Sequence, residues 1–205
     1  MESCVSNQNL PAVVKTPKHR IARWISRIIS PPIIASLSAI LIAATINTPN
    51  AWFWAAFQLF FAILGPVILI LVMVRTGKLS DFDIYFRQQR HIPYLVIMAC
   101  SGISTIVMLI ASAPLLQIGF ALVGFLQTIG LFVINIRWKI SAHSASSASF
   151  TILMLYLNGA NAIASLFMVP LIVWSRVLLK RHTFWQTIAG SALGFSTALS
   201  LFLVV

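Results

Sequence analysis

Acidic residues are almost missing from this chain: 205 residues contain three, Glu2, Asp81 and Asp83. Charged residues of both signs make up 8% of the sequence, against roughly 25% in an average soluble domain. So few charges cannot coat a water-soluble globule of this size, and they exclude a disordered chain or a coiled coil as well. Cysteine is scarce too. Cys4 lies in a polar tail and Cys100 in an apolar run, which leaves no disulfide framework. Long polar connections are also lacking, so no second catalytic domain is expected.

What is present is hydrophobicity, 60% of the chain. Seven apolar stretches are candidates to cross a hydrocarbon core of about 30 Å: 32–46, 52–74, 93–111, 114–136, 143–157, 160–174 and 184–205. They show no period-2 alternation, so helices are the only plausible spans. Asn47-Thr-Pro-Asn50, Ser112-Ala-Pro114 and Asn158-Gly159 punctuate them. A single helix through the last pair of internal stretches would run about 45 Å at 1.5 Å per residue, so a reversal at Asn158-Gly159 is expected. The predicted fold is an all-α, polytopic transmembrane bundle of six to seven spans with an N-terminal interfacial helix. Residues 1–31 form a basic tail, and residues 32–205 the membrane domain.

Fourteen Lys and Arg leave a net charge of +11. In a soluble protein that excess would suggest nucleic acid; in a membrane protein it reports topology and an anionic lipid or ligand instead. All fourteen fall in four segments: Lys15 to Arg27, Arg75 to Arg90, Arg137 with Lys139, and Arg176 to Arg181. With seven spans these segments share one face, and the opposite loops carry no charge. The positive-inside rule makes the basic face cytoplasmic. Before the first span, Ile21, Trp24, Ile25, Ile28 and Ile29 recur at helical spacing, with Arg20, Arg23 and Arg27 on the other face. That pattern predicts an amphipathic helix on an anionic leaflet.

Three loops on the basic face hold polar residues of the kind that are functional suspects in a membrane bundle. The first runs Ser80-Asp-Phe-Asp-Ile-Tyr-Phe-Arg87-Gln-Gln-Arg90-His-Ile-Pro93, the second Arg137-Trp-Lys139-Ile-Ser141-Ala-His143-Ser144, and the third has Ser175-Arg176, His182 and Gln186. Each alone has an ordinary explanation as a topology marker, a helix cap or a small-residue packing face. Together, two histidines and several arginines converge on one face, which suits an anion site with acid–base or nucleophilic chemistry.

These loops resemble the motifs of the type 2 phosphatidic acid phosphatase (PAP2) superfamily of membrane lipid phosphatases, over residues 78–205. The third motif is Ser-Arg, five residues, His, three residues, Asp; here it reads Ser175, Arg176, His182, with Gln186 at the aspartate position. Ile140-Ser141-Ala142-His143 is similar to the second motif, Pro-Ser-Gly-His. Arg87 through Arg90 to Pro93 loosely follows the first, without its lysine spacing or adjacent Arg-Pro. The resemblance implies a phosphohydrolase needing neither metal nor cofactor, acting on a prenyl or phosphatidate-type lipid phosphate or diphosphate. It implies His182 as nucleophile, His143 as general acid and base, and Arg87, Arg90, Arg176 and Ser141 as the phosphate cradle. Arginine and histidine suit those roles, one as a permanently charged bidentate donor and the other as a group titrating near neutrality.

Position 186 is one helical turn from His182, so Gln186 is expected to orient its ring without the charge an aspartate would bring. A charged hydrogen bond is worth roughly 1.5–3 kcal/mol and a neutral one roughly 0.5–1.5, so turnover would be slowed, not abolished. The degraded first motif and Gln186 also motivate an alternative, a catalytically weak or silent relative that binds anionic lipid. Asp81 and Asp83 form a DxD, but without a third acid they make a poor Mg²⁺ site and no prenyltransferase-type diphosphate clamp. Gly190 and Gly194 form a GxxxG, read either as a homodimer seam or as close packing inside the bundle.

Overall fold

Proline marks where the first helices begin. Pro17, Pro31 and Pro49 each stand at a first helical position, preceded by Thr16, Ser30 and Thr48 in extended conformation. Their missing N–H costs nothing there, and their fixed φ suits the helix. The computed structural model describes residues 16–201, and every regular element among them is helical. Lys15 and the last four residues of the expected 184–205 span lie outside the described residues.

Nine α-helices follow in order: α1 (Pro17–Ile28), α2 (Pro31–Ile46), α3 (Pro49–Gln58), α4 (Gly65–Arg75), α5 (His91–Ile110), α6 (Leu115–Arg137), α7 (Ala142–Asn158), α8 (Met168–Leu178) and α9 (Phe184–Leu199). A widened turn, Leu59–Leu64, joins α3 to α4 without a break. Pro66 explains it: the ring lacks a donor and crowds the carbonyl four residues back, so the helix widens there.

Among the described residues four helical runs are long and apolar enough to cross a membrane: Pro49–Arg75, Arg87–Ile110, Leu115–Arg137 and Ala142–Leu178. The pair α1–α2, bent by 45°, is a fifth if taken as one span. The 37-residue run Ala142–Leu178 is not straight. Thr151 donates to the Ser165 carbonyl at 3.1 Å, whereas fourteen residues of straight helix would separate them by about 21 Å. Phe150 also shares a core with Ile172 and Met168. The chain turns back after Asn158, through Gly159 at φ +56° and a 3₁₀ stretch, as the Asn-Gly signal predicts.

Helix α7 is the hub, packed by α9, α2 and α8. Its buried Ser144, Ala145, Ser147 and Ala148 present almost no side-chain bulk, which lets neighbouring backbones come close. Gly190 and Gly194 of α9 meet this face directly: a Cβ on Gly190 would lie 2.4 Å from the Ser141 carbonyl oxygen, and one on Gly194 2.1 Å from that of Ala145. The GxxxG face therefore closes on α7 within the chain and is not free to serve as a homodimer seam. Large apolar side chains such as Phe60, Ile110 and Phe167 point outward, as suits a bundle whose surroundings are hydrocarbon.

Helix α1 covers the segment whose periodicity predicts a helix, and it docks on the bundle through its small residues. Ala22 and Ser26 are buried, and the Ser175 hydroxyl donates to the Ala22 carbonyl at 2.7 Å, fastening α1 to α8. Ile21, Trp24 and Ile28 are exposed. Small residues allow the close approach, and Ile29 with Ile25 packs beside them against Ile34 and Ile172, so the isoleucine stripe is split between core and exterior.

A contact between a new Cβ and a backbone carbonyl cannot be relieved by a rotamer change. Gly194→Val should therefore lower stability by more than about 2 kcal/mol, while Gly124→Ala, with nothing within 4 Å of the added carbon, should be neutral or mildly stabilising. Thermal melts of the two variants in detergent check this.

Candidate active site

The loops after α4, α6 and α8 and the α1–α2 junction meet at one end of the bundle, around a cavity of about 140 Å³. Among its lining residues are Arg90, His143, Arg176 and His182, together with Asp83, Tyr94 and the Ser30–Pro32 corner. Four residues singled out in the sequence are thus neighbours here, although as many as 92 positions separate them in the chain.

Local geometry accounts for the spacing between Arg176 and His182. Helix α8 ends at Leu178, and Lys180 reverses the chain in a left-handed conformation (φ +53°). The backbone N–H groups of Arg181 and His182 then donate to the Arg176 carbonyl, at 3.1 and 3.4 Å. This is a helix C-terminal cap, and it brings the imidazole back beside the guanidinium six residues earlier. Next, Thr183 caps α9.

His143 sits in the first turn of α7 behind its N-cap, Ser141. The Ser141 N–H donates to the Gln186 carbonyl at 3.2 Å, tying the start of α7 to the first turn of α9 and so His143 to His182. Arg90 closes a 3₁₀ turn at the start of α5 and is only 5% exposed. Its Nε donates to the Ile84 carbonyl at 2.8 Å and its Nη1 to that of Ile140 at 3.0 Å, so it spans two of the loops.

Arg176 is 1% exposed. One Nη1 donates to Ser26 Oγ at 2.6 Å and to Asp83 Oδ2 at 2.9 Å, while its Nε is buried without a hydrogen-bond partner. His143 Nε2 and His182 Nδ1 are likewise buried and unpartnered. Three unsatisfied polar atoms on one small cavity are costly in a protein interior and mark a place that accepts a polar ligand.

Three expected site residues lie elsewhere. Arg87 donates to the Asn135 carbonyl at 3.0 Å and to that of Ile136, capping the end of α6 rather than facing the cavity. Ser141 spends its hydroxyl accepting from the Ser144 N–H and Oγ. Gln186 does not orient His182: its Oε1 accepts from the Thr183 N–H at 3.2 Å, half of a capping box with the Thr183 hydroxyl. At the third helical position, the nearest unpaired donor is the N-cap backbone, and that claims the side chain.

The residue most clearly missed is Asp83. Beyond its bond to Arg176, its Oδ1 lies 3.9 Å from His143 Nε2. Burial by itself would raise its carboxyl; Arg176, with His143 and Arg181, overrides this and holds it well below the usual carboxylate range. Asp81 pairs with Arg181, so each acid of the DxD faces a cation; among the described residues no group of three His, Cys, Asp or Glu could hold a metal ion. Between the acids and Arg90, Ile84 adopts φ +47°, a left-handed conformation costing a β-branched residue roughly 1–3 kcal/mol. Such strain persists only where surrounding contacts over-determine it, and here the Arg90 bond to the Ile84 carbonyl and the two acid–arginine pairs do so.

The remaining electrostatics are cationic. Burial, then Arg90, Arg176, Lys139 and His143, push the His182 imidazole well below its usual value, so it stays neutral near pH 7. At the rim, Lys139 Nζ stands 4.2 Å from the centre of the Tyr85 ring, which Arg181 also approaches. Burial and the fields of Arg90, Arg176 and Arg181 bring the Lys139 ammonium down to about 8, Asp81 partly offsetting them. A neutral imidazole, fixed guanidinium charge and a second imidazole can bind a tetrahedral anion and transfer a phosphoryl group.

The chain matches no protein-family model, no curated protein and no solved structure.

Because Lys139 loses its proton above about pH 8, the pocket's attraction for an anion should weaken there. Sulfate remains a dianion throughout and isolates the protein's own titration. Its affinity should fall about threefold to tenfold between pH 7 and 9, and Lys139→Arg should flatten the profile, both read by calorimetric titration.

Proposed function

We propose that this protein is a polytopic membrane phosphatase of the PAP2 type, hydrolysing a lipid phosphate or diphosphate through a phosphohistidine. One observation carries the reading: His143, His182, Arg90 and Arg176, contributed by three separate segments of the chain, line one cavity with unpaired buried polar atoms. A purely structural histidine pair has no reason to share a pocket with two arginines.

The cycle has two displacements. A neutral His182 ring nitrogen attacks phosphorus as the bond to the leaving oxygen breaks, and His143, which takes up a proton as the phosphoryl anion enters the cavity, gives that oxygen its proton. His143, now neutral, takes a proton from water, whose oxygen attacks the phosphohistidine and releases inorganic phosphate, freeing His182. Arg176 and Arg90 stabilise the charge on the equatorial oxygens in both steps. With Gln186 committed to a helix cap, the orientation of His182 rests on the backbone bond to the Arg176 carbonyl.

A lipid substrate is supported by a second, apolar cavity of about 70 Å³ lined by Ile34, Phe120, Val123, Phe150 and Leu153. Pro31 borders both cavities, so a headgroup in one can place a tail toward the other. In this reading the fourth long run counts as two crossings, α7 and α8, α9 adds a sixth and α2 a seventh. Helix α1 lies at an anionic leaflet with Trp24 in the headgroups. The loops carrying the site face the cytoplasm by their charge.

Asp83 beside Arg176 favours the second reading, a lipid-binding relative without turnover, because the carboxylate already satisfies part of the clamp. Phosphate release from prenyl and phosphatidate-type lipid phosphates by purified protein in EDTA separates the two. Turnover is expected in EDTA, with a loss of about 100-fold or more in His182→Ala and His143→Ala. Turnover that needs Mg²⁺, or survives both substitutions, would refute the mechanism; substrate binding without release would favour the silent relative.

A further inference from the structure

Resting on the reading of this cavity as an anion site, we propose that Asp83 is a tethered competitor, its carboxylate occupying the seat that a substrate phosphoryl group takes on Arg176. The 81–83 turn is then a plug that must withdraw for substrate to bind.

Three observations converge on this. First, Asp83 Oδ2 takes the same Arg176 Nη1 that a phosphate oxygen would need, while Oδ1 approaches His143. An acid so placed repels a phosphoryl group arriving between the two, so both cannot occupy the seat. Second, Asp83 projects from a turn whose flanks, Leu79 and Ile84, are buried against Ile70 and Met73 while its own carboxylate is not. It lies on the connection between α4 and α5, its side chain 30% exposed against 1% for Arg176, so the carboxylate is the partner with somewhere to go. Third, the loop is latched rather than relaxed: Arg181 pairs with Asp81, Arg90 holds the Ile84 carbonyl, and Ile84 keeps a left-handed backbone. Once a stronger anion takes Arg176, loss of the ionic contact lets the strained backbone relax, which favours withdrawal. A phosphoryl dianion brings two charges and three acceptor oxygens where Asp83 offers one charge, so it displaces the plug, whereas a simple carboxylate ligand does not.

The consequence is selectivity at the resting site. Arg176 in the apolar end of a bundle would otherwise stand uncompensated between substrates. Asp83 supplies the missing charge, and the seat opens only to a stronger anion.

The test uses the full chain in detergent, with inorganic phosphate as probe. Asp83→Asn keeps the shape and removes the competing charge, and it should bind phosphate about tenfold or more tightly than the wild-type chain. Independently, Phe82→Cys, with Asp83 intact, reports loop position by maleimide labelling above the background of the native cysteines. Phosphate should speed its labelling, and acetate should not. Unchanged or weaker phosphate binding in Asp83→Asn, with binding by the wild-type chain, would overturn the plug and leave the anion site standing. Phosphate-insensitive labelling at position 82 would do the same, even if Asp83→Asn fails to fold. No phosphate binding by either chain, together with no turnover, would overturn both the plug and the site beneath it.

Discussion

A guanidinium that is 1% exposed, at the end of an apolar bundle, has to be compensated. Removing one partner of such a buried pair costs about 3–5 kcal/mol, so Arg176 constrains everything around it. Its Nη1 calls in Ser26 from α1 and Asp83 from the loop before α5. Its carbonyl, through the cap at the end of α8, fixes where His182 returns. The residue before it, Ser175, fastens α1 at Ala22. Docking of the N-terminal helix, the position of the acidic loop and the location of one imidazole are thus consequences of satisfying a single buried cation.

Around that centre the bundle is assembled by proximity more than by apolar bulk. Hydrocarbon gives helices no solvent-driven reason to associate, so close approach and polar contacts do the holding. The Gly190–Gly194 face on the small residues of α7 serves the first requirement, and the backbone bond from Ser141 to Gln186 the second. Both sit next to the cavity, so this close helix contact also sets the relation between His143 and His182.

What could be read from the sequence was what is encoded locally. Asn47-Thr-Pro-Asn50 and Ser112-Ala-Pro114 marked helix boundaries, the Asn158-Gly159 turn signalled the reversal of α7 onto α8, and basic residues collected in the loops of one end. The spacing of Ser175, Arg176 and His182 was legible because a helix C-cap followed by a turn is a local device. Pro66 was a signal for the widened turn at Leu59–Leu64, and it went unread. The errors came where a local need outbid a distant one: Arg87 was drawn to the carbonyls ending α6, Ser141 to its own first turn, and Gln186 to the Thr183 N–H. Asp83 was missed for the opposite reason. Its partner is 93 positions away, and the DxD was weighed only as a metal site and set aside.

The account therefore turns on whether His182, a neutral imidazole in a cationic cavity, is a nucleophile. The most direct measurement is to mix the protein with a lipid phosphate labelled on phosphorus, quench in alkali, and map the bound label. Alkali-stable, acid-labile phosphate on His182, formed in EDTA and missing from the His182→Ala chain, is the predicted result. Hydrolysis without labelled protein, or label on another residue, would contradict it.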